Sequence, residues 1–172
     1  MPEKDLLRKE LLSRRDCIPP EVRKVKNRMI QERLVSLNEF SSANVVFLFA
    51  SFRTEVDTIE VIKNIIQNSR RVVLPKVDSV NHILRLYEIK GLEELMPGYM
   101  GIPEPSVNTE DRLFSVNDVD IVIIPGAGFD LSGIRIGYGA GYYDILLSGL
   151  KRKLPVIAPA FEEQVVDSIP SE

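Results

Sequence analysis

The sequence predicts an α/β protein, a three-layer α/β/α sandwich built on an open, mostly parallel, Rossmann-like sheet. Three observations predict it. Residues 45–50 (VVFLFA) and 121–124 (IVII) are apolar runs of strand length without alternation, the pattern of strands covered on both faces. Between residues 45–50 and 71–74 lies a segment with an apolar stripe at Val61, Ile62, Ile65 and Ile66, which makes a βαβ unit with an expected right-handed crossover. The 172 residues, 44% hydrophobic and 27% charged, suit one core, so residues 1–172 are expected to be a single domain.

The elements follow in order. Leu7 and Leu11, with Leu6 and Leu12 beside them, sit four apart among charges and predict a helix over about residues 4–16. Pro19 and Pro20 break it. Val22, Val25, Met29, Leu34 and Leu37 then recur with helical spacing, predicting a second helix over about 20–37 with Pro20 in its first turn. After the strand at 45–50, Asp57 and Glu60 read as a capping box for the helix that carries the Val61 stripe. Residues 71–74 form a short strand ended by Pro75, and 83–89, with partial alternation, a more exposed one. A helical turn at 92–95, a loop MPGYMGIPEPS, a buried strand at 121–124, a helix beginning at 142–147 and a last strand at 154–158 complete the reading.

Composition excludes several classes. Twenty-two basic and 25 acidic residues, net charge −3, are spread along the chain, whereas nucleic-acid binders carry a basic face. No run approaches the ~20 apolar residues of a membrane span. The N-terminus MPEKDLLRKE lacks a signal peptide's apolar centre. One cysteine, Cys17, permits neither an internal disulfide nor a CxxC knuckle, so a reducing cytoplasm is expected. The expected protein is a cytoplasmic monomer acting on small molecules.

Ligands of open α/β sheets sit beyond the strands' carboxyl ends. Three segments lie there: SFRTEVDT, PKVDS and PGAGFDLSGIRIGYGAGYYD. The third holds six of ten glycines, Gly126, Gly128, Gly133, Gly137, Gly139 and Gly141. Glycine lets backbone N–H groups approach an anion, and a helix starting near Tyr142 adds its positive end. Arg135 offers a forked donor suited to phosphate, and Asp144 a carboxylate suited to Mg²⁺. A long surface turn is the competing reading. The segment matches neither GxxxxGK[ST] nor GxGxxG, so neither a P-loop nor a dinucleotide enzyme is supported.

Lys4 and Arg8 share a helix face and suit an anion, or are a solvated basic face. Glu55 suits the N–H groups of a heterocycle, or is an acid favoured at a helix N-terminus. Lys76 adds charge after the second strand or is a surface lysine. His82 is expected in a turn away from these loops and without a catalytic partner, and Cys17 is expected to be inert.

RIGYGAGYYD at 135–144, preceded by IIPGAGFDLSG, resembles the signature of the 5-formyltetrahydrofolate cyclo-ligase family. KDLLR at 4–8, ASFRTEVDT, GIPEP and APAFEEQ resemble its other blocks in order, across nearly the whole chain. The resemblance implies an ATP- and Mg²⁺-dependent cyclisation of 5-formyltetrahydrofolate to 5,10-methenyltetrahydrofolate. By matching position it implies ATP contacts from Lys4, Asp5, Leu6, Leu7, Arg8, Arg135, Ile136, Gly137, Tyr138, Gly139, Ala140, Gly141, Tyr142 and Tyr143. It implies folate contacts from Ala50, Glu55, Tyr138, Gly139, Ala140, Gly141 and Tyr142, magnesium at Asp144, and catalysis by Arg135 and Lys4. Ala140 stands where relatives carry glycine or lysine, and the family's second magnesium-linked aspartate would fall beyond Ile169 and Pro170. Two rivals remain: a folate- or nucleotide-binding module without turnover, and a sugar-phosphate isomerase on a related sheet.

Overall fold

The computed structural model describes residues 2–170. In chain order its elements are α1 (Pro2–Asp16), α2 (Pro20–Ser36), α3 (Asn38–Ser41), β1 (Val45–Phe47), α4 (Ile59–Gln67), β2 (Arg71–Asp78) and β3 (Ile83–Ile89). There follow β4 (Leu95–Pro97), β5 (Pro103–Pro105), β6 (Leu113–Phe114), β7 (Ile121–Ile123), β8 (Gly128–Asp130), β9 (Arg135–Ile136), α5 (Tyr142–Ser148), β10 (Val156–Ile157) and β11 (Val165–Val166).

The main sheet runs β10-β7-β1-β2-β3-β6, parallel from β10 to β2 and antiparallel beyond. Alternate residues of its central strands enter opposite cores. Val46, Val72, Ile121 and Ile123 face Leu34, Phe40, Val61, Ile62 and Ile65 from α2, α3 and α4. Phe47, Val73 and Val122 face Val116, Val119 and the Leu146 side of α5. Both faces are therefore covered, which is why the sequence runs carry no alternation. The three-layer, largely parallel α/β reading holds.

Several local expectations are corrected. β2 does not end at Pro75 but continues to Asp78, paired with β3 (Pro75 opposite Leu86). The Val73 carbonyl accepts from the Leu48 N–H, so Val73 and Pro75 both turn their backbone groups toward β1, beyond whose last pair the missing proline N–H costs no ladder bond. Lys76 consequently lies inside a strand, not after one. β3 is mostly buried because its side chains join both cores, Leu84 and Leu86 on one face and Ile89 on the other. The capping box at Asp57 and Glu60 is absent: the N-cap is Thr58, and Asp57 accepts from the Ile59 N–H at 2.9 Å. The MPGYMGIPEPS loop contains the hairpin β4–β5.

The helix α2 stands where its spacing predicts it and its end buries Leu34 with Leu37 beside it, yet its first turns set a different face inward. Val22, Val25 and Met29 are exposed. Arg23 instead donates to the Ile18 carbonyl at 2.9 Å, Asn27 accepts from the Asp57 N–H, Gln31 donates to the Asp57 carbonyl, and Lys26 pairs with Glu163. A polar stripe at helical spacing thus holds α2 down, a phase that apolar periodicity does not reveal.

The long third loop is partly structured. β8 and β9 form a hairpin, β11 adds beside β8 in parallel, and the Asp130 carboxylate ties the turn. Asp130 accepts from the Ser132 hydroxyl, the Ser132 and Ile134 N–H groups and the Ile169 N–H. Those donors hold its carboxyl down at about 2. Helix α1 rests on this small sheet through fully buried Leu11, packed with Ala127, Ile136 and Ile169. A side chain at Gly128 would meet the Leu11 Cδ1 at 2.1 Å, so the close approach of helix to strand requires glycine there. No helix in the described residues is long and apolar enough to cross a membrane.

Candidate active site

The chain leaves β1 toward β2 on one side and β7 toward β10 on the other, so the sheet has a switch point between β1 and β7. Beyond their carboxyl ends lies a small cavity of about 10 Å³ bounded by Arg15, Glu55, Pro125, Gly126, Tyr138 and Gln164.

The segment after β1 is clamped by its own hydrogen bonds. The Thr58 hydroxyl donates to the Phe49 carbonyl at 2.6 Å and accepts from the Ser51 N–H at 2.9 Å, and the Thr58 N–H reaches the Ser51 hydroxyl. Within this clamp the Glu55 carboxylate accepts from the Phe52 N–H at 2.8 Å and from the Tyr138 hydroxyl at 2.7 Å. Burial pushes the Glu55 carboxyl above its ordinary range, against the opposing pull of Tyr138, the Phe52 N–H and Arg15.

The glycine segment 137–141 crosses opposite. Gly139 and Gly141 have φ of 104° and 75°, a left-handed backbone that side chains resist. Distant side chains hold it: Arg8 Nε donates to the Gly137 carbonyl at 2.8 Å, and His82 Nε2 meets the Ala140 carbonyl at 2.8 Å while its ring stacks on Tyr142 at 4.5 Å. The expectation that His82 stands away from these loops is thereby overturned. It sits at left-handed φ at the mouth of β3, and the strand's extension past Pro75 carries it there. Because a carbonyl only accepts, Nε2 carries the proton in this contact.

Arg135 donates to the Pro125 carbonyl at 3.1 Å and pairs with Asp144, whose carboxylate is largely exposed. The cation expected on phosphate and the anion expected on magnesium thus pair with each other. Tyr143 lies beneath the Arg135 guanidinium, and burial pushes its phenol well up, with Glu55 and Tyr138 adding to the rise. Among the described residues no three His, Cys, Asp or Glu side chains gather as a metal-binding group. Mg²⁺ commonly takes one or two carboxylates together with substrate phosphates and water, so Asp144 suits an ion that arrives with a nucleotide.

Not every expected side chain faces the site. Leu7 and Ile136 pack in the α1 cluster and Ala50 in the α4-side core, so any ligand contact from these three would come from backbone. Leu6 points to solvent, and Asp5 pairs with Arg8. Lys4 lies one turn before Arg8 on α1. Two residues were missed. Arg15, buried, donates through Nη1 to the Tyr138 hydroxyl at 2.7 Å and through Nε to Thr54 at 3.1 Å. Its signal was present: Arg15 follows Arg8 by seven residues, two helical turns on the same face. Gln164, also buried, donates to the Gly126 carbonyl at 2.9 Å and steadies the floor; its sole signal was its place in APAFEEQ.

A family model described as the 5-formyltetrahydrofolate cyclo-ligase family matches residues 1–172. The chain belongs to this family. Among its curated relatives, the mouse 5-formyltetrahydrofolate cyclo-ligase is 27% identical over 172 residues, covering 95% of this chain and 85% of that one. The Escherichia coli K12 cyclo-ligase is 29% identical over 162 residues, covering 92% and 88%. The fold matches the solved 5,10-methenyltetrahydrofolate synthetase of Aquifex aeolicus with a TM-score of 0.85 at 31% identity, over 98% of this chain and 83% of that one. The Mycoplasma pneumoniae synthetase matches with a TM-score of 0.77 at 25% identity, over 98% and 92%. Membership of the cyclo-ligase family makes this chain an enzyme of folate metabolism and implies ATP as its co-substrate.

Proposed function

We propose that this chain uses ATP to close 5-formyltetrahydrofolate into 5,10-methenyltetrahydrofolate, releasing ADP and phosphate. The observation that carries the reading is the half-buried Glu55 carboxylate, tied to Tyr138 of a glycine segment that has Arg8 and Arg135 beside it. A carboxylate held by one backbone donor and one phenol keeps acceptor capacity for the paired N–H groups of a pterin. Arg8, Arg135 and the left-handed glycines beside it suit a triphosphate.

In the reaction the formyl oxygen of the folate attacks the γ-phosphorus of ATP; that P–O bond forms as the β–γ bridge breaks and ADP leaves. The nitrogen at position 10 then attacks the activated formyl carbon, loses its proton, and the C–O bond breaks to release phosphate. Little here demands a protein nucleophile, and catalysis rests on alignment and on neutralising phosphate charge. Glu55 would orient the pterin so that its formyl oxygen points across the crevice. Arg8 and Lys4 would hold phosphates along α1. Arg135, the proposed catalytic arginine, would leave Asp144 for the transferring phosphoryl group, and the freed Asp144 would hold Mg²⁺ on the phosphate oxygens. That ion supplies charge neutralisation when bound. Backbone from Ile136 to Tyr143 would line the nucleotide, and Tyr138 to Tyr142 would also touch the folate. We further propose that the enzyme works as a single-domain cytoplasmic monomer, a reading supported by its size and its lone thiol.

The test is phosphate release from ATP with and without 5-formyltetrahydrofolate. Release that depends on the folate is expected; a protein that binds either ligand but releases no phosphate would contradict the reading and leave a binding module.

A further inference from the structure

We propose that Arg15 is a positioning residue for Glu55, acting through the Tyr138 hydroxyl to hold the carboxylate in the orientation that receives the pterin. The proposal rests on the reading of Glu55 as the pterin acceptor.

Only 6% of Arg15 is exposed, in the last turn of α1. Its Nη1 lies 2.7 Å from the Tyr138 hydroxyl, and that hydroxyl lies 2.7 Å from Glu55 Oε1. Chemistry fixes the direction of this chain. A guanidinium only donates and a carboxylate only accepts, so the hydroxyl must accept from Arg15 and give its proton to Glu55. Each bond polarises the next, and the Glu55 charge is shared along the row. The second Glu55 oxygen is fixed by the Phe52 N–H, which leaves the carboxylate one orientation. Arg15 itself is held from turning away, because its Nε donates to Thr54, whose hydroxyl donates in turn to Asp16.

No direct ion pair joins Arg15 and Glu55; the tyrosine stands between them. An arginine serving only to fill space would need no such alignment, nor a hydroxyl committed to the Glu55 carboxylate. The same helix face carries Arg8, which grips the carbonyl of Gly137, the residue before Tyr138. Helix α1 therefore splints two consecutive residues of the glycine segment, one by its backbone and one by its hydroxyl, and through the second reaches the folate half of the site.

Without Arg15 the Tyr138 hydroxyl loses its donor and is free to rotate, and Glu55 loses a nearby positive charge. The groups facing Glu55 are Arg15 from α1, Tyr138 from the glycine segment, Tyr143 from α5 and the Phe52 N–H of its own loop. Of these only Arg15 is cationic, so its removal shifts ionisation of Glu55 to higher pH.

The test is steady-state kinetics of Arg15→Met, Arg15→Lys and Tyr138→Phe, with the double variant and Glu55→Gln in parallel. Arg15→Met should raise the folate KM about tenfold, as for a lost charged hydrogen bond, with ATP KM and kcat within about twofold. The acid limb of folate kcat/KM should move to higher pH. Arg15→Lys keeps the charge without the fork and should give a smaller rise, which carries the test if the methionine variant does not fold. Adding Arg15→Met to Tyr138→Phe should cost little more than Tyr138→Phe alone, because one acts through the other. An unchanged folate KM in both Arg15 variants, or additive effects in the double variant, would overturn the proposal. If Glu55→Gln raises folate KM while the Arg15 variants do not, the positioning role alone fails. If Glu55→Gln also leaves folate KM unchanged, the reading of Glu55 fails with it.

Discussion

The two sides of the crevice are built differently. The Glu55 side is one short segment leaving a central strand, tied by hydrogen bonds among Phe49, Ser51, Phe52 and Thr58 over a buried core. The phosphate side is assembled from four places in the sequence: α1 with Arg8, His82 after β2, the glycine segment 137–141, and the Arg135–Asp144 pair. The backbone of the first is set by its neighbours in the chain, with Tyr138 and Arg15 orienting its carboxylate, and that of the second by contacts with remote side chains. The first suits a rigid heterocycle, while the second must rearrange at least the Arg135–Asp144 pair to receive phosphate. On the proposed reading the two sides divide the two substrates between them.

The largest expected effect is on the phosphate side. Arg135→Ala should lower kcat by at least ~10²-fold, the loss typical of one preorganised charged donor in a transition state, with a smaller change in folate KM. Turnover within a few-fold of wild type would remove Arg135 from the chemistry. Next comes the Glu55 side. Glu55→Gln replaces an acceptor by an amide that presents N–H groups to N–H groups, and should raise folate KM roughly 10- to 10²-fold while leaving ATP KM nearly unchanged. Equal effects on both substrates would erase the division of labour.

The pH dependence of Glu55 sharpens it further. Its carboxyl titrates above the ordinary range because of burial, so in the window between its unfolded and folded pKa values the folded state binds more protons. Stability of the ligand-free enzyme therefore falls as pH rises through that window, while folate kcat/KM rises as the carboxylate forms. Thermal melts of Glu55→Gln should lack this fall, gaining on wild type at neutral pH more than at acidic pH; a constant difference across pH would contradict the assignment. The smallest effect is expected at His82. Its removal releases one exposed hydrogen bond to Ala140, and ATP KM should rise by about two- to fivefold. A change in folate KM instead would place that contact on the wrong side of the comparison.

This contrast also explains what was legible in the sequence. Strands β1 and β7 declare themselves as unbroken apolar runs because both their faces are covered, and Glu55 can be found by counting past a strand end. The glycines mark their own segment. Arg15 and His82 are different: a seven-residue step puts Arg15 on the helix face of Arg8, but what either residue touches comes from where α1 and the β2–β3 hairpin land in space. The same holds for α2, whose first three turns face inward with polar side chains, and for β2, where a proline signals an end that the early finish of β1 makes unnecessary. Short strands such as β6, β9 and β11 lie below what any period can register. Local chemistry is written locally, whereas a site closed by remote contacts needs the topology.

The most direct test of the central claim is to count ring closure and phosphate in one reaction, supplying wild-type enzyme with ATP, Mg²⁺ and 5-formyltetrahydrofolate. The account predicts one phosphate released for each 5,10-methenyltetrahydrofolate formed, and neither product when either substrate is withheld. Phosphate released at the same rate without the folate, or ring closure without ATP consumption, would contradict it.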